Sequence, residues 1–482
     1  MNMNWEALLS INKLEEEPEE PRYFDRYPIN EFEKDYNKIV SSAAFRRLQD
    51  KTQVFPLDKS DFVRTRLTHS IEVSTIARQL GIMVTQDTSP YRPEDIGTVK
   101  AEAIPSVLLC AGLLHDLGNP PFGHFGETTI GDWFKENLGK ILYKGNSLRS
   151  RLTDQMIQDL EHFEGNAQAL RILLKSRFGS ETNLSAAVIG TLVKYPNDSL
   201  SFDGESTDIK KHKPGFYSAE EQTFLQISRL LGTVNENDEI CRHPLTYLLE
   251  AADDIAYATA DLEDAFKKKL FTLDQFLAFF EQSYQYDSSN PGKKPECYTY
   301  ELQQDLIKRR GETPSREGDL KAFKGWLNYV RRWLMYVAAY RFSYSYQDIM
   351  SGTYENDLFW ETYHSITITI LKKAMGRFVF QTSGILKLEL SAQTILSFLL
   401  DRFVHAVLYF DYEDKVHGFV PSKADKKYMA IFSENYIQDY RNAKTGNESY
   451  DLYLRLLMVT DYISGMTDTY ARTLYRELSG IE

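Results

Sequence analysis

The sequence is poor in cysteine, in long apolar runs and in low-complexity segments, and each shortage excludes a class of protein. Three cysteines in 482 residues are too few and too scattered for a disulfide framework, and none forms the CxxC pair that holds zinc. The most apolar run, IPSVLLCAGLL (residues 104–114), is about half as long as the roughly 20 residues of a membrane span. We therefore expect a folded protein with no membrane segment, in which this run is a buried helix.

Positive charge is also scarce, since the formal net charge is −13. This balance argues against a surface built to coat nucleic acid, so a small anionic substrate needs a metal ion or a focused basic pocket. The first residues, MNMNWEALLSINKLEEEPEE, carry acid where a signal peptide needs a basic start. We expect a cytoplasmic protein.

Helical periodicity dominates what the sequence does contain. Apolar residues recur at spacings of three and four through SIEVSTIARQLGIMV, PLTYLLEAADDIAYATADLEDAF and SAQTILSFLLDRFVHAVLYF, whereas alternating strand patterns are short and few. The prediction is an all-α protein with loops near residues 87–93, 196–214 and 288–295. The polar segment at residues 197–215 is predicted to be a surface loop between helices or a lid.

Three pieces of sequence carry the chemistry. His69 opens an amphipathic helix in RTRLTHSIEV, His115 and Asp116 are neighbours at the end of the apolar run, and Asp253 and Asp254 interrupt an apolar helical pattern. Taken singly, His69 is typical of a hydrogen-bonded structural histidine, and the Asp pair is typical of an exposed acidic face.

A buried imidazole and carboxylate side by side need a charge partner or a metal ion. Two His and two Asp on different helices offer mixed nitrogen and oxygen ligands, which suit Mn²⁺, Mg²⁺, Co²⁺, Fe²⁺ or Ni²⁺. Water on such an ion becomes a nucleophile near neutral pH, and the ion also neutralises phosphate charge. Together the three pieces predict hydrolase chemistry.

Six ordered motifs then carry a resemblance over roughly residues 45–471: RRLQDKTQVFP, RTRLTHSIEV, HDLGNPPFGHFGE, HFEGNAQALR, EAADDIAY and DYISGMTDTYA. They resemble the bacterial deoxyguanosinetriphosphate triphosphohydrolase (dGTPase) family, and the pattern H…HD…D is similar to that of the HD superfamily. The resemblance implies an HD-domain helical core with accessory helical regions. It also implies hydrolysis of dGTP to deoxyguanosine and tripolyphosphate with a divalent metal ion, most simply Mn²⁺ or Mg²⁺.

The resemblance assigns roles to individual residues. The metal ligands it implies are His69, His115, Asp116 and Asp253, with Asp254 as the alternative to Asp253, because adjacent helical residues lie about 100° apart and only one can face the ion. His124 is the implied proton-transfer group or in-line participant beside the α-phosphate, with Glu127 as its partner.

Further residues are implied to bind substrate. Arg46, Arg66 and Lys194 reach phosphate oxygens unless they are solvated, Tyr257 packs on the deoxyribose, and Asp261 with Gln53 reads the 3′-hydroxyl. Asn166 and Tyr195 match pocket positions that also suit packing residues, and Glu389 is the candidate acceptor for guanine N1 and N2.

The predicted division is an HD core with N-terminal helices at residues 1–270, an accessory helical region at 271–375, and C-terminal helices at 376–482 that complete the pocket and oligomer contacts. The resemblance further implies a homo-oligomer, with a hexamer as one form, and single-stranded DNA as a candidate effector. Two alternatives stay open. One is a dNTP triphosphohydrolase of broad specificity regulated by dNTPs, and the other is a nucleotide- or single-stranded-DNA-binding protein with a vestigial site.

Overall fold

The structure is a computed structural model that describes residues 3–14, 29–55, 62–87, 93–99, 101–175, 183–287, 297–312, 315–381, 383–412, 418 and 420–481. The described chain is helical apart from one two-stranded hairpin and isolated bridges, so the prediction of an all-α protein is confirmed. Residues 88–92 and 288–295, which the sequence predicts to be loops, lie outside the described residues.

The helices of the first half are α1 (Trp5–Leu8), α2 (Glu31–Ser41), α3 (Ala43–Arg46), α4 (Arg66–Gln86), α5 (Ala103–Leu114), α6 (Gly123–Asn137), α7 (Asp154–Glu161), α8 (Gly165–Lys175), α9 (Ala186–Leu192) and α10 (Glu221–Leu230). Those of the second half are α11 (Pro244–Ala256), α12 (Leu262–Lys267), α13 (Leu273–Asp287), α14 (Cys297–Arg310), α15 (Arg316–Tyr344), α16 (Tyr346–Ser351), α17 (Ser365–Met375), α18 (Ser383–Val407), α19 (Lys423–Met429), α20 (Glu434–Ala443), α21 (Glu448–Ser464) and α22 (Asp468–Ser479). Short 3₁₀ turns lie at Arg47–Asp50, Asp95–Thr98, Leu148–Arg151 and Ile209–Lys211, and π turns at Tyr257–Asp261 and Gly376–Phe380.

The hairpin joins β1 (Leu142–Tyr143) to β2 (Asn146–Ser147) in antiparallel register. Its two turn residues, Lys144 and Gly145, both have positive φ, as a two-residue hairpin turn requires. The segment at residues 197–215 is a loop in the structure. Its middle is held to the body because the Ile209 amide donates to the Glu355 carbonyl at 3.0 Å.

Local sequence explains where the central helices begin. Thr65 and Thr68 form a reciprocal capping box at the start of α4. Helix α11 has Pro244 in its first turn, where a proline costs no hydrogen bond, and His243 accepts from the Leu245 amide. Helix α5 is apolar on all sides and packs against α2, α4, α9 and α11, so the predicted buried helix is confirmed.

Two hydrophobic clusters fill the interior. One is built mainly around α4, α5, α9, α11, α15 and α17. The other joins residues of α6–α8 to residues of α18–α22. The three-part division at residues 270 and 375 stays a prediction.

No single described helix has both the length and the apolar composition for a membrane crossing. Segments Ser365–Phe380 and Ile385–Val407, bent by 76° where they meet, satisfy both criteria only when they are taken together.

A buried network of charged side chains connects α8 to α21. The Arg171 side chain is 1% exposed, donates to Asp461 on α21 at 2.7 Å, and also contacts Glu220. Lys175 binds the other oxygen of Asp461. Burial raises the pKa of Asp461, but Arg171 and Lys175 outweigh burial and lower it to about 2. The carboxylate is therefore charged in the folded protein.

We expect Asp461→Asn to lower the free energy of unfolding by about 3–5 kcal/mol, because it leaves buried cations without their counter-charge. The folded-state pKa of Asp461 lies below the unfolded one, so its contribution is present above pH ~4 and is lost as the pH falls towards 2. Urea unfolding of both proteins across this range measures the effect. The exposed Asp132→Asn is the control and should change stability by less than about 0.5 kcal/mol. Equal stability of Asp461→Asn and the parent protein would contradict the account.

Candidate metal centre and nucleotide cavity

Three helices bring the predicted metal ligands together. His69 lies in the first turn of α4, His115 and Asp116 follow α5, and Asp253 lies near the end of α11. One ligand atom from each of His69, His115 and Asp116 lies within 4.8 Å of the others. Asp253 Oδ1 is 3.3 Å from His69 Nε2 and 3.5 Å from His115 Nε2. Asp253 therefore lies beside both histidines of the His69–His115–Asp116 cluster.

The donor atoms fit a metal ion. The Nδ1 atom of His115 is 2.8 Å from the Gly112 carbonyl, so Nδ1 carries a proton and Nε2 is the ring nitrogen that faces Asp116 and Asp253. Within the described part of the chain, this buried Nε2 atom has no hydrogen-bond partner. A buried ring nitrogen that faces two carboxylates and a second imidazole is suited to a divalent cation, which would take the place of the proton on Nε2.

The charges of the centre also favour the binding of a cation. Burial alone would raise the pKa of Asp253, but Lys194 and His115 hold it well below its usual range. For Asp116, Arg66 and His115 likewise outweigh burial and depress the pKa. Burial lowers the pKa of His115, yet the two carboxylates raise it to about 10. The site thus holds two carboxylates that attract positive charge.

Asp253 and Asp254 face different partners. Asp253 faces the histidines and accepts from Lys194 Nζ at 2.6 Å. Asp254 is 2.7 Å from Lys372 Nζ on α17. Burial raises the pKa of Asp254 to about 6 in spite of that lysine. The geometry favours Asp253 as the ligand.

His124 and Glu127 pair in the first turn of α6, with His124 Nδ1 2.7 Å from Glu127 Oε2. The other oxygen of Glu127 accepts from the Gly165 amide at 3.0 Å. A Cβ at Gly165 would lie 2.5 Å from Glu127 Oε1, so this position needs a glycine. The His124 side chain is 79% exposed and lies at the mouth of the cavity described next.

A cavity of about 560 Å³ opens beside these groups. Most of the predicted site residues line it: Gln53, Arg66, His69, His115, Asp116, His124, Asn166, Lys194, Tyr195, Asp253, Tyr257 and Glu389. Glu127 lies behind His124, and Asp261 lies behind Gln53. The volume suits a molecule of nucleotide size.

Arg46 is the predicted residue that the structure does not bring to the cavity. Its side chain is exposed, and its guanidinium donates to the carbonyl of Ser41 in the preceding helix. Local hydrogen bonding at the end of α2 thus holds it outside. A phosphate contact for Arg46 stays a prediction from the resemblance.

Gln53, which lines the cavity, forms a polar pair with the buried Asp261 behind it. Gln53 Nε2 donates to Asp261 Oδ2 at 3.3 Å. Among the described residues, Gln53 Oε1 and Asp261 Oδ1 find no partner. Unpaired buried acceptors are costly, and a ligand hydroxyl placed here could donate its one hydrogen to either of these two oxygens.

Sequence reasoning missed Lys213, which lines the cavity and binds Glu164 at 3.0 Å. It lies at the end of the polar loop, and the only local signal is the basic run KKHK. Asp254, the alternative ligand named from the sequence, also lines the cavity, and the lining residues that were not predicted are Thr52, Val54, Asn119, Phe122, Gly123, Phe125, Glu250, Phe380 and Ile385. The side-chain amide of Asn119 donates to Asp116.

Asp468, at the start of α22, holds two segments that line the cavity. Asp468 is buried and accepts from the amides of Phe122 at 2.9 Å and Thr52 at 3.1 Å. Phe122 is held at φ 67°, a strained value for a residue with a side chain, just before the helix that carries His124. The buried Lys51 ammonium donates to the carbonyls of Asn119 and Ser464 at 2.6 and 2.7 Å. These contacts explain why a C-terminal motif accompanies the N-terminal ones.

Residues 66–199 match the HD domain. This span contains His69, His115, Asp116 and the pair His124–Glu127, whereas Asp253 lies beyond it. The helical fold and the clustered histidines and carboxylates therefore define an HD-domain protein with a candidate metal centre, as the resemblance implied.

Full-length relatives identify the family. The chain is 41% identical over 487 residues to the deoxyguanosinetriphosphate triphosphohydrolase-like protein of Listeria monocytogenes, covering 99% of this chain and 100% of the relative. It is 32% identical over 497 residues to the deoxyguanosinetriphosphate triphosphohydrolase of Yersinia enterocolitica, covering 95% of each. A third relative, the deoxyguanosinetriphosphate triphosphohydrolase-like protein of Pseudomonas aeruginosa, is 32% identical over 489 residues, covering 99% of each. The chain belongs to the deoxyguanosinetriphosphate triphosphohydrolase family.

Neighbouring substitutions on α11 test the ligand assignment. We expect Asp253→Asn to weaken Mn²⁺ binding by at least about 10-fold, because it removes a charged donor from the centre. Asp254→Asn should leave the affinity within about threefold, because Asp254 faces Lys372. Equilibrium dialysis with Mn²⁺ measures both. Equal losses, or a larger loss for Asp254→Asn, would show that the ligand is assigned wrongly.

The His124–Glu127 pair makes a pH prediction. The hydrogen bond and the negative charge of Glu127 raise the pKa of His124, so Glu127→Gln should lower it towards the ordinary value of about 6.5. Titration of labelled histidine ring signals by NMR measures the shift. Asp132→Asn, an exposed change on the same helix, serves as the control. An unchanged His124 pKa in Glu127→Gln would rule out the pair in solution.

Proposed function

We propose that the protein hydrolyses dGTP to deoxyguanosine and tripolyphosphate in a metal-dependent reaction. The observation that carries the proposal is one cavity in which two histidines and two carboxylates lie together beside the His124–Glu127 pair. The substrate follows from the family, since relatives that match nearly the whole chain are named for dGTP.

His69, His115, Asp116 and Asp253 would hold the divalent cation, most simply Mn²⁺ or Mg²⁺, with Co²⁺, Fe²⁺ or Ni²⁺ as alternatives. Bound there, such an ion lowers the pKa of water and neutralises phosphate charge.

Three cations of the cavity bind the triphosphate in this proposal. Each is paired with a carboxylate: Arg66 with Asp116 at 2.8 Å, Lys194 with Asp253 at 2.6 Å, and Lys213 with Glu164 at 3.0 Å. Five carboxylates line the same cavity, so the three cations leave it with no excess of positive charge: Asp116, Glu250, Asp253, Asp254 and Glu389. A divalent ion held by Asp116 and Asp253 would supply the positive charge that a triphosphate needs, and it would compete with Arg66 and Lys194 for those carboxylates.

His124 is the proton-transfer group. Because Glu127 binds its Nδ1 atom, Nε2 is free to act on the substrate. Water adds to the α-phosphorus, the bond from phosphorus to the 5′-oxygen breaks, and His124 gives the leaving oxygen its proton. The proton that the attacking water loses returns the imidazole of His124 to its protonated form. Alignment and charge neutralisation supply the rest of the rate enhancement.

In this proposal, Gln53 and Asp261 recognise the sugar of the nucleotide. The free acceptors of Gln53 and Asp261 are suited to a 3′-hydroxyl donor. Tyr257 packs beside the deoxyribose, where a ribose 2′-hydroxyl clashes. Loss of a hydroxyl that a site is built to bind costs up to about 10⁴-fold in specificity, because buried groups are then unpaired. Glu389, on α18 at the same cavity, is the proposed acceptor for guanine.

Asn166 and Tyr195 complete the proposed wall around the phosphates. A homo-oligomer, a single-stranded DNA effector and a cytoplasmic location stay predictions from the sequence, as do the regulated dNTPase and the vestigial binding protein as alternatives.

Product analysis tests the proposal. Purified protein is incubated with Mn²⁺ or Mg²⁺ and with each dNTP or GTP, alone and in mixtures, and the products are separated by ion exchange. We expect deoxyguanosine and intact tripolyphosphate from dGTP, with the activity lost in His115→Ala. Turnover only in dNTP mixtures would favour the regulated enzyme. Release of pyrophosphate or of single phosphates would contradict the proposed bond cleavage, and inactivity throughout would favour the binding protein.

A further inference from the structure

The helix that carries Asp253 continues through a π turn. Helices α11 and α12 are joined without a break by the π turn Tyr257–Asp261. In a regular α-helix, Asp261 would lie about 80° around the axis from Asp253, since each residue turns about 100°. A π turn closes with a bond to the fifth residue instead of the fourth. It therefore turns less per residue and brings Asp261 back towards the face of Asp253.

The sequence of the turn does not favour this conformation. The residues are YATAD, with no proline or glycine, and alanine is the strongest α-helix former. Left to local preference, the segment should relax to a regular α-helix. Contacts from elsewhere in the fold must therefore hold the π turn.

Arg331 of α15 donates to Thr259 Oγ1 inside the turn at 3.1 Å, and the more extensive contacts come from Arg64. Its Nη1 atom donates at 3.1 Å to the carbonyl of Ala260, inside the π turn, and also to Asp264 in the next helical turn. The Arg64 amide donates to the same Asp264 carboxylate at 3.0 Å. The Nε and Nη2 atoms of Arg64 donate to the carboxylate of Glu72 on α4 at 2.7 and 3.1 Å. Arg64 thus fastens the π turn to the helix that carries His69.

A lysine cannot reproduce this arrangement. One planar guanidinium serves a backbone carbonyl and two carboxylates at fixed angles, whereas an ammonium is a point charge. The Arg64 side chain is only 16% exposed, so it is protected from competition with water. The mechanism proposed above gives Arg64 no role, and the residue is not among those that line the cavity.

We infer that Arg64 is a positioning residue for sugar selection: by holding the π turn Tyr257–Asp261, it keeps Asp261 opposite Gln53 so that the pair accepts a 3′-hydroxyl. This inference rests on the proposed function, because it assumes that a deoxynucleoside triphosphate occupies the cavity.

The test compares Arg64→Lys with Arg310→Lys. Arg310 is a matched control, because it is 13% exposed, grips Asp319 in two hydrogen bonds of 2.9 and 3.2 Å, and has no contact with the π turn. The readout is the ratio of kcat/KM for dGTP to that for 2′,3′-dideoxyguanosine triphosphate. We expect Arg64→Lys to reduce this ratio at least about 10-fold. Arg310→Lys should leave it within about twofold of the parent protein.

Hydrogen exchange gives a second readout that needs no activity. In Arg64→Lys, the amides of residues 257–264 should exchange faster than in the parent protein, and in Arg310→Lys they should not. If Arg64→Lys does not fold, Glu72→Gln is a milder substitution that weakens the hydrogen bonds between Arg64 and residue 72. It should lower the ratio of the two kcat/KM values by a smaller factor. An unchanged ratio with unchanged exchange in a folded Arg64 variant would overturn the inference, as would equal effects in the control.

The inference and the proposed function fail in different ways. If the parent protein hydrolyses dGTP and the dideoxy analogue equally well, sugar selection by this pair is wrong while the triphosphohydrolase stands. If the parent protein hydrolyses no deoxynucleoside triphosphate, the proposed function fails, sugar selection falls with it, and the exchange data alone decide whether Arg64 holds the turn.

Discussion

The close packing of α4 on α5 is the constraint on which the site depends. The helices run antiparallel, and a Cβ at Gly112 of α5 would lie 2.4 Å from the Ser74 Cα of α4. At the other end of the contact, a Cβ at Gly81 of α4 would lie 3.0 Å from the Pro105 Cα of α5. Because backbone meets backbone, neither helix can slide or tilt without a clash. The start of α4 and the end of α5 are therefore fixed side by side, with the rings of His69 and His115 centred 5.4 Å apart.

Distant parts of the chain hold the remaining walls of the cavity. The buried pair of Arg171 and Asp461 joins α8 to α21, and Asp468 at the start of α22 fixes both Thr52 and the strained Phe122. The cavity therefore lies where the two hydrophobic clusters meet. Buried ionic contacts add little net stability when compared with apolar packing, but an unpaired buried charge is costly. Such pairs restrict the clusters to one arrangement, which the convergence of the site residues requires.

Sequence predicted the helical class and the residues of the centre because both leave local marks. Periodicity reports the buried face of a helix, and the motifs around His69, His115 and Asp253 are contiguous strings that resemble a family. The hydrogen bonds of Asp468 to Thr52 and Phe122, and the position of Lys213 in the cavity lining, could not be predicted. They depend on contacts between segments that are far apart in the chain. Arg46 shows the converse, because a motif can match while a local hydrogen bond holds the side chain elsewhere.

The metal centre ties these features together, because it needs α4, the end of α5 and α11 in register at once. Anomalous diffraction at the manganese edge, from crystals of the protein grown with Mn²⁺, tests it most directly. We expect a single strong anomalous peak at metal–ligand distance from His69, His115, Asp116 and Asp253. A peak elsewhere, or none at this point while the protein hydrolyses substrate, would contradict a centre built from these three helices.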